Sequence, residues 1–427
     1  QFGISGVRSK LESASANQPV TTAILWSCFG GCEEGSSANN PVDGPARGYI
    51  GYLPEVLADS VDGFQSTTRT LYNVSATHRP TDWLTHRLMW GGDWTETNNT
   101  QLYRPINGPG HFQPQGAKSA LRQTTQFITV DYSATADWDA TDDLSLSTSA
   151  GVQYYRKVED WIFASGSIFP VATLETVSSG SQRDAEEGFL ENKTLGAYIQ
   201  EQFSWQDRIF LTAAVRGDDN SAFGQNFDFI VYPKFQASWV VSEESFLEDA
   251  EWLSQLRLRG AWGRAGQQPD VFAALRTYEP TVGPGGTSAL RPESIGNVDL
   301  EPEVGDELEL GFDGSFLDDR LGVELTWYDQ TRRDALIQVP VRPSLGFPGF
   351  QFQNIGEITN AGLELALNAQ VARGSGWNLD MNVNLATNSN EVASLGGLPP
   401  QILNAANPTT GWAGQYYVEG FPLGPSS

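Results

Sequence analysis

The segment from Asn354 to Asn388 alternates apolar and polar side chains, and this alternation constrains the fold more than any other feature of the chain. It reads NIGEITNAGLELALNAQVARGSGWNLDMNVNLATN. A repeat of two places successive side chains on opposite faces of a β-strand, whereas a helix needs a repeat of about 3.6. We therefore predict a β-hairpin that turns at RGSG and has one apolar and one polar face.

Similar hairpins recur along the chain, and their connections alternate in length. Short links such as DATDD, QDR and LDDR join neighbouring strands. Longer polar segments separate the hairpins, and we predict loops there, at 95–121, 157–193, 217–229, 265–304 and 332–353. We count twelve strands after Ser66 and two before Cys28. Short turns at one end and long loops at the other are typical of an outer-membrane β-barrel, whereas soluble sandwiches mix their connections.

The composition is compatible with a barrel. No run approaches the roughly 20 apolar residues of a membrane helix, but barrel strands are only about 10 residues long and half of their side chains face inward. The 52 acidic and 26 basic residues give a net charge of −26. Because phosphate contact needs a basic surface, this charge argues against a nucleic-acid partner.

A barrel assigns each face of the hairpins to a medium. We expect the following side chains to face lipid: Leu363, Leu365, Leu367, Val371, Trp377, Leu379, Met381, Val383 and Leu385. We expect these to face the lumen: Glu364, Asn368, Gln370, Asn378, Asp380, Asn382 and Asn384. Charged groups on the lipid face are unfavourable, so the alternation should keep them inside.

Aromatic residues near predicted strand ends fit the girdles that mark membrane interfaces. They are Trp138, Trp205, Trp239, Trp262, Trp327, Tyr328 and Trp377. The alternative is that they pack in the core of a soluble β-protein.

The chain offers little for metal binding or catalysis. Cys28 and Cys32 are too few for a zinc site, and we predict a small loop disulfide, with free thiols as the alternative. None of the usual hydrolase, phosphate-binding or dinucleotide-binding motifs occurs. His78, His86 and His111 are far apart in the pattern, and we interpret them as ordinary polar residues. We predict no enzyme, no catalytic residues and no cofactor.

Three acidic segments lie in predicted loops, at 33–40, 184–191 and 217–222. Their carboxylates are of the type that binds calcium, but none has the spacing of an EF-hand. Solvated loop charge is the favoured interpretation, with loop calcium as the alternative.

Several ordered segments resemble the barrel of TonB-dependent outer-membrane receptors, in particular the SusC/RagA-like branch. They include GAYIQEQFSWQDRIFLTAAVRGDDNSAFG, LRLRGAWGRAGQQP, NIGEITNAGLELAL and VEGFPLG. The similarity extends from about Ser66 to Gly424. The fold expected is all-β, an antiparallel transmembrane β-barrel of which the chain supplies a part.

The resemblance also implies parts of the receptor that we expect outside this chain. Family members begin with a plug domain that contacts TonB, and their barrels have about 22 strands. We therefore expect residues 1–427 to be barrel only, without the plug and the last strands, and we expect the isolated fragment not to fold stably.

The function implied is TonB-dependent import of a large nutrient, such as an oligosaccharide or a peptide, across the outer membrane. The implied partners are TonB–ExbB–ExbD through the plug, a SusD-like surface lipoprotein and the lipid of the outer membrane. Lumen and loops would bind the substrate, but no individual substrate-binding residue can be named. A passive porin or adhesin barrel and a soluble secreted glycan-binding protein are the alternatives.

Overall fold

The part of the chain that the structure describes is built from β-strands. A computed structural model describes residues 2–13, 61–105, 113, 115–222, 230–404 and 415–423. Within these ranges, no helix has the length and hydropathy needed to cross a membrane.

Thirteen strands form one sheet in which neighbours in sequence are also neighbours in space, except that β9 pairs with β12. The strands are β1 (Phe2–Ser13), β2 (Val61–Thr81), β3 (Leu84–Tyr103), β4 (Ala117–Thr141), β5 (Leu144–Ser167), β6 (Gln182–Trp205), β7 (Ile209–Asn220), β8 (Ile230–Val240), β9 (Leu253–Gln267), β10 (Thr277–Val282), β11 (Ser288–Ser294), β12 (Glu303–Phe316), β13 (Leu321–Pro340), β14 (Phe350–Gly374), β15 (Trp377–Ser394), β16 (Gln401–Asn404) and β17 (Gln415–Tyr417). Two further sheets pair β10 with β11 and β16 with β17. Single 3₁₀ turns occur at Val177–Ser179, Val241–Glu243, Pro284–Gly286 and Pro343–Leu345.

The predicted alternation of short and long connections is confirmed except between β8 and β9, where the link 241–252 is longer than the connection 341–349 between β13 and β14. Gln206 and Asp207, in the turn between β6 and β7, have φ of 51° and 53°, the left-handed conformation that tight hairpin turns favour. Apart from β1, the thirteen-stranded sheet contains the twelve strands expected after Ser66. The second strand expected before Cys28 lies outside the described residues.

The predicted loops are wrong in extent, because the strands continue into them. β4 has 25 residues and β6 has 24, whereas a strand crosses the hydrocarbon with about 9–11. The segment 157–193 therefore contains the end of β5 and the beginning of β6, and the connection between them is only 168–181. In these extensions apolar and polar residues no longer alternate, since Trp161, Ile162 and Phe163 follow one another in β5.

By its internal contacts the chain divides into two compact units. Unit one comprises Gln1–Ser75, Met89–Val130 and Tyr155–Glu191. Unit two comprises Ala76–Leu88, Asp131–Tyr154 and Asn192–Ser427.

In unit two, the strand register confirms the predicted faces of the hairpin. Leu365 lies opposite Leu325 on β13 and opposite Leu385 on β15, whereas Asn368 lies opposite Asn382. Directly opposed residues project to the same side of a sheet. The leucines therefore share an apolar face and the amides share a polar face, and we use these two names for the faces of the whole sheet.

The apolar face of unit two does not form a protein core. Leu363, Leu379 and Leu385 are 41%, 53% and 59% exposed. Among the described residues, the largest fully buried side chains are those of Leu300, Val61, Val392 and Pro302. They lie in the connection before β12 or at strand ends, away from the middle of the apolar face. These leucines are thus available to an apolar medium, which argues against a soluble β-protein with the leucines inside.

The apolar face has a defined height. On β12 its apolar stretch runs from Phe316 to Leu308 and ends at Asp306. Arg264 Nε donates a hydrogen bond of 2.8 Å to Asp306, and Arg333 Nη1 lies 2.7 Å from the same carboxylate. The length of this stretch is similar to the roughly 9–11 residues with which a β-strand crosses a bilayer. The charged cluster at Asp306 marks its edge.

One carboxylate departs from the expected separation of the faces. Glu201 lies opposite Ala213, between Ile199 and Phe203, on the apolar face. Thr148 Oγ1 donates a hydrogen bond of 2.6 Å to Glu201 Oε2, and Glu201 Oε1 is buried without a donor. The expectation that alternation keeps every charged group inside is wrong here, where a neighbouring hydroxyl replaces part of the lost hydration.

Most of the aromatic residues predicted for the girdles lie on the apolar face. Four tryptophans at strand ends are exposed, Trp138, Trp205 and Trp377 beside short turns and Trp239 beside the longer link between β8 and β9. Trp262 lies within β9, opposite Leu308, which is the last apolar position before Asp306. Trp327 lies opposite Leu310. Trp262 thus marks the far edge of the apolar face, while the turn-side tryptophans mark the near edge.

In unit one, an ion-pair clip joins two of the long connections to β2. Arg104 Nη2 lies 2.5 Å from Asp62 and 2.8 Å from Glu175. The two carboxylates, Asp62 first, raise the pKa of Arg104 above its ordinary value. The amides of Ile168 and Phe169 add hydrogen bonds to the carbonyls of the preceding connection.

Candidate functional site on the polar face

Polar side chains from four neighbouring strands of unit two converge on one area of the polar face. Gly311 lies opposite Arg259 on β9 and Thr326 on β13, and Thr326 lies opposite Glu364 on β14. Toward the long connections, the next pair on this face is Glu309 on β12 opposite Tyr328 on β13. After it, Glu307 lies opposite Gln330, and Gln330 lies opposite Asn360 on β14. Because side chains alternate along each strand, all of these project to the same side.

These residues line a hollow of about 430 Å³. We call them the polar wall: Arg259, Glu307, Glu309, Thr326, Tyr328, Gln330, Asn360 and Glu364. Arg257, one alternation from Arg259, lines an adjoining hollow together with Arg259 and Glu309.

The cationic part of the wall is a pair of arginines that share one carboxylate. Arg257 donates to Asp313 Oδ2 through Nε at 2.9 Å and Nη2 at 2.6 Å. Arg259 donates to Asp313 Oδ1 through Nε at 3.1 Å and to Thr326 Oγ1 through Nη2 at 2.5 Å. Asp313 thus holds both guanidinium groups in a fixed geometry, and Glu324 lies opposite Asp313 on β13.

The anionic part lies beside it. Gln330 Nε2 donates a hydrogen bond of 2.9 Å to Glu307. Among the described residues, Glu307, Glu309 and Glu364 form no ion pair with a lysine or arginine. The Asn360 Oδ1 atom is buried and receives no hydrogen bond. The wall therefore presents several hydrogen-bond acceptors next to two guanidinium groups, which suits a polar ligand with several hydrogen-bonding groups.

Tyr328 belongs to this wall, so its assignment to a membrane girdle is wrong. It lies opposite Glu309 and opposite Gly362, one position away from Trp327, whose neighbours are apolar. A Cβ added at Gly362 would lie 2.5 Å from Tyr328 Oη and closer still to the Thr387 carbonyl oxygen. The glycine thus allows the phenol ring to lie across the sheet and expose one surface to the hollow.

The family of the chain follows from a match over nearly its whole length. The family model described as TonB dependent receptor-like, beta-barrel, matches residues 29–424. The chain belongs to this family. The resemblance given by the ordered segments, from GAYIQEQF to VEGFPLG, is thereby confirmed.

Curated relatives of this TonB-dependent receptor barrel are longer proteins. TonB-dependent receptor SusC of Bacteroides thetaiotaomicron is 31% identical over 219 residues, which are 49% of this chain and 22% of SusC. TonB-dependent receptor P26 of Formosa agariphila is 28% identical over 203 residues, which are 46% of this chain and 20% of P26. The matched region thus spans about a fifth of either relative.

A solved structure agrees on the fold. The RagAB peptide importer in its closed-closed state superposes with a TM-score of 0.76 at 20% identity, covering 97% of this chain and 48% of that one. At this identity the likeness shows the fold alone. The fold is therefore part of the antiparallel transmembrane β-barrel of the family, as predicted, and its apolar face is the lipid-facing one.

Two histidines that the sequence separates come together in this receptor barrel. The rings of His78 and His86 stack across the turn between β2 and β3, with centroids 6.1 Å apart. His86 Nδ1 lies 2.9 Å from the Tyr132 hydroxyl. They lie on the apolar face beside a short turn, away from the polar wall, so they have no role there. His111, the third histidine, lies outside the described residues.

The acidic segments are not the loops that were expected. Residues 184–191 lie within β6, and residues 217–220 form the end of β7. Arg156 pairs with Glu191 at 2.6 Å, and Arg216 pairs with Asp218 at 2.8 Å. No three His, Cys, Asp or Glu side chains converge on a metal-sized site in the described ranges. Residues 33–40, Cys28 and Cys32 lie outside those ranges.

Most members of the polar wall could not be named from the sequence. Glu364 was assigned to the lumen face, which is where it lies. Counting back from the short turn between β12 and β13 would have placed Glu309 opposite Tyr328. The connection between β9 and β12 is too long for such counting, so Arg259 had no sequence signal that would join it to the wall.

Proposed function

We propose that this chain is the barrel part of an outer-membrane transporter that actively imports a large polar nutrient, an oligosaccharide or a peptide. Residues 1–427 would form barrel only, and the plug domain would belong to another part of the receptor. The observation that supports this most is the polar wall, where the Arg257–Arg259 pair and free carboxylates share one lumen surface.

The wall has the chemistry expected for weak, multiple contacts to a polar solute. Carboxylate and carboxamide groups accept and donate hydrogen bonds to hydroxyls and peptide groups. The exposed surface of Tyr328 offers a ring for stacking against a sugar or a side chain. Nothing in the wall resembles a nucleophile activated by a base, so we assign it binding and no catalysis.

The energy for import would come from TonB–ExbB–ExbD, acting on the plug. A SusD-like lipoprotein would close the receptor from outside. Membership of the TonB-dependent receptor family supports the first statement. The likeness to the RagAB peptide transporter supports a peptide as one candidate substrate. The SusD-like lipoprotein and the oligosaccharide are what the SusC/RagA-like resemblance implies.

Uptake by cells provides the test. We expect the full-length receptor to fractionate with the outer membrane and to support growth on its nutrient only when TonB is present. Uptake that persists without TonB would show a passive pore instead. Recovery of the full-length protein in the soluble fraction would support the glycan-binding alternative.

A pair of variants links uptake to the polar wall. We expect Glu309→Gln with Glu364→Gln to raise the KM of uptake by about tenfold, since a hydrogen bond to a charged group contributes roughly 1.5–3 kcal/mol. Glu243→Gln with Glu251→Gln makes the same charge change in the exposed link between β8 and β9 and should leave the KM unchanged. Equal KM values for both pairs would remove the wall from the substrate path.

A further inference from the structure

A basic hollow lies on the lipid-facing side of unit one, at the end that carries the long connections. It has a volume of about 520 Å³. Its lining residues occupy even-numbered positions on β1 to β4, apart from Leu121: Arg8, Lys10, Phe64, Ser66, Glu96, Asn98, Thr100, Ala120 and Arg122. None of this set belongs to the polar wall, and transport as proposed above does not use it.

The even-numbered positions of these strands form the lipid-facing side. Phe2, Ile4 and Trp94 are 69%, 68% and 49% exposed and share this side. The opposite side contains the ion pair between Arg69 and Asp93. The hollow is therefore outside the lumen.

The height of the hollow follows from the order of residues along two strands. On β1 the exposed apolar residues Phe2 and Ile4 come first, and Arg8 and Lys10 follow on the same side. On β3 the apolar residues end at Trp94, and Glu96 follows. The cations thus lie just beyond the apolar face, at the level where lipid headgroups begin.

The cations of the hollow have no ion-pair partner in the part of the chain that the structure describes. Arg8, Lys10 and Arg122 are exposed, and none forms an ion pair with a described residue. Glu96 also lines the hollow, but it is 3.2 Å from Asn98 Nδ2 and is not paired with the three cations. In a chain with a net charge of −26, three cations with no described ion-pair partner and one carboxylate in one hollow form an unusual positive spot.

We propose that this hollow binds the phosphate groups of a phosphorylated glycolipid in the outer leaflet. The guanidinium groups of Arg8 and Arg122 suit bidentate contact with phosphate, and Lys10 adds a point charge. Ser66, Asn98 and Thr100 supply hydrogen-bonding groups for the sugar that carries the phosphate. The apolar face below the hollow accommodates the acyl chains, so one lipid satisfies both surfaces.

The proposal rests on the outer-membrane location proposed above, but not on transport. Delipidated full-length receptor in detergent is titrated with diphosphorylated lipid A, and binding is measured by native mass spectrometry. We expect Arg8→Gln, Lys10→Gln and Arg122→Gln together to weaken binding by about tenfold or more, because each cation near an anionic headgroup contributes separately. Higher salt should weaken binding to the unaltered receptor.

The matched control removes three other cations. Arg79, Arg87 and Arg373 are exposed, form no ion pair with a described residue, and lie beside short turns at the opposite end of their strands. Changing all three to Gln should leave lipid A binding unchanged. Heat-modifiable gel mobility shows whether each triple variant is folded, and Arg8→Lys with Arg122→Lys should retain part of the affinity if the hollow variant fails to fold.

Four outcomes would overturn the proposal. The first is that the triple hollow variant and the triple control variant bind lipid A equally. Equal binding of diphosphorylated and dephosphorylated lipid A would show that the acyl chains alone are recognised. Inorganic phosphate that binds as tightly as lipid A would show a site for free anions. A receptor that reaches the outer membrane and imports its nutrient but binds no lipid A would refute the lipid site and leave the proposed function intact.

Discussion

Thr148 Oγ1 donates a hydrogen bond of 2.6 Å to Glu201 Oε2 on the lipid-facing side of the sheet. Glu201 lies within the apolar stretch of β6, between Ile199 and Phe203, and its second oxygen has no donor. Acidic groups in contact with hydrocarbon are unfavourable, although less so than Lys or Arg. The hydroxyl of Thr148 therefore compensates for only part of the hydration that Glu201 loses.

This pair predicts opposite effects for two substitutions. Thr148→Val should lower the free energy of unfolding by about 1–3 kcal/mol, because it leaves both carboxylate oxygens without a donor. Thr148→Val combined with Glu201→Leu should be neutral or stabilising by about 1 kcal/mol, as apolar replacements of buried polar pairs often are. Unfolding of the full-length receptor by urea in lipid vesicles measures both.

Thr70→Val is the control for the loss of a hydroxyl. Thr70 lies on the lipid-facing side of β2 and has no carboxylate partner among the described residues. It should change the free energy of unfolding by less than about 0.5 kcal/mol. The interpretation fails if Thr148→Val behaves like Thr70→Val, or if the double variant is less stable than Thr148→Val alone.

The sequence was sufficient to predict the fold where one face of a strand is apolar and the other polar. The β14–β15 hairpin shows this, since Leu365, Leu385 and Asn368 lie where the alternation placed them. Beyond the apolar face the repeat of two is lost, as at the consecutive Trp161, Ile162 and Phe163 of β5. For this reason the alternation predicts β5 and β6 to be shorter than they are, with a loop at 157–193 that the two strands partly occupy.

The polar wall was harder to predict for a different reason. Its members come together because β9 pairs with β12 in a particular register. The connection between these two strands is long and contains a separate sheet, formed by β10 and β11. A slip of one residue would move Arg259 to the other face. Hydrophobic pattern fixes which side of its own strand Arg259 occupies, but no local signal gives the neighbour opposite. For Glu201 the sequence gives the face but not the partner. Only the structure shows the Thr148 hydroxyl that donates to its carboxylate.

Gly362 should tolerate no side chain, because an added Cβ would meet both Tyr328 and the Thr387 carbonyl oxygen. We expect Gly362→Ala to lower the free energy of unfolding by about 1–3 kcal/mol, the usual cost of overpacking. Gly322→Ala is the matched control on β13, since its Cβ would lie 3.7 Å from the Asn368 Cβ, an ordinary contact. Equal urea midpoints for the two variants would contradict the packing of Tyr328 over Gly362.

The clip around Arg104 should hold the long connections of unit one without adding much to global stability. Exposed ion pairs contribute little to the free energy of unfolding, but Arg104→Gln should release the segment that contains Glu175. We expect faster hydrogen exchange at the amides of Ile168 and Phe169, which bond across to the preceding connection. Urea midpoints should hardly change.

The same clip has a defined pH dependence on its cationic side. Asp62 and Glu175 raise the pKa of Arg104, so its contribution is fully present below the ordinary pKa of arginine, which is itself strongly alkaline. It is lost only as the pH rises through the higher, folded-state value. Amide protection of Ile168, corrected for the intrinsic exchange rate, should therefore not fall at moderately alkaline pH. A loss of protection there in the unaltered receptor, but not in Arg104→Gln, would contradict the assignment.

Asn354 should control the order of the connection before β12. Its Nδ2 donates to the Glu301 carbonyl at 2.7 Å and to the Asp334 carbonyl at 3.0 Å, and its Oδ1 accepts from the Glu301 amide at 2.9 Å. We expect Asn354→Ala to speed exchange of the Glu301 amide by about tenfold, since one lost hydrogen bond contributes roughly 1–1.5 kcal/mol. Asn378→Ala, which removes only a contact with Asp380, should leave that amide unchanged. If both variants exchange alike at Glu301, the side chain of Asn354 does not hold the connection, and packing of Leu300 alone must do so.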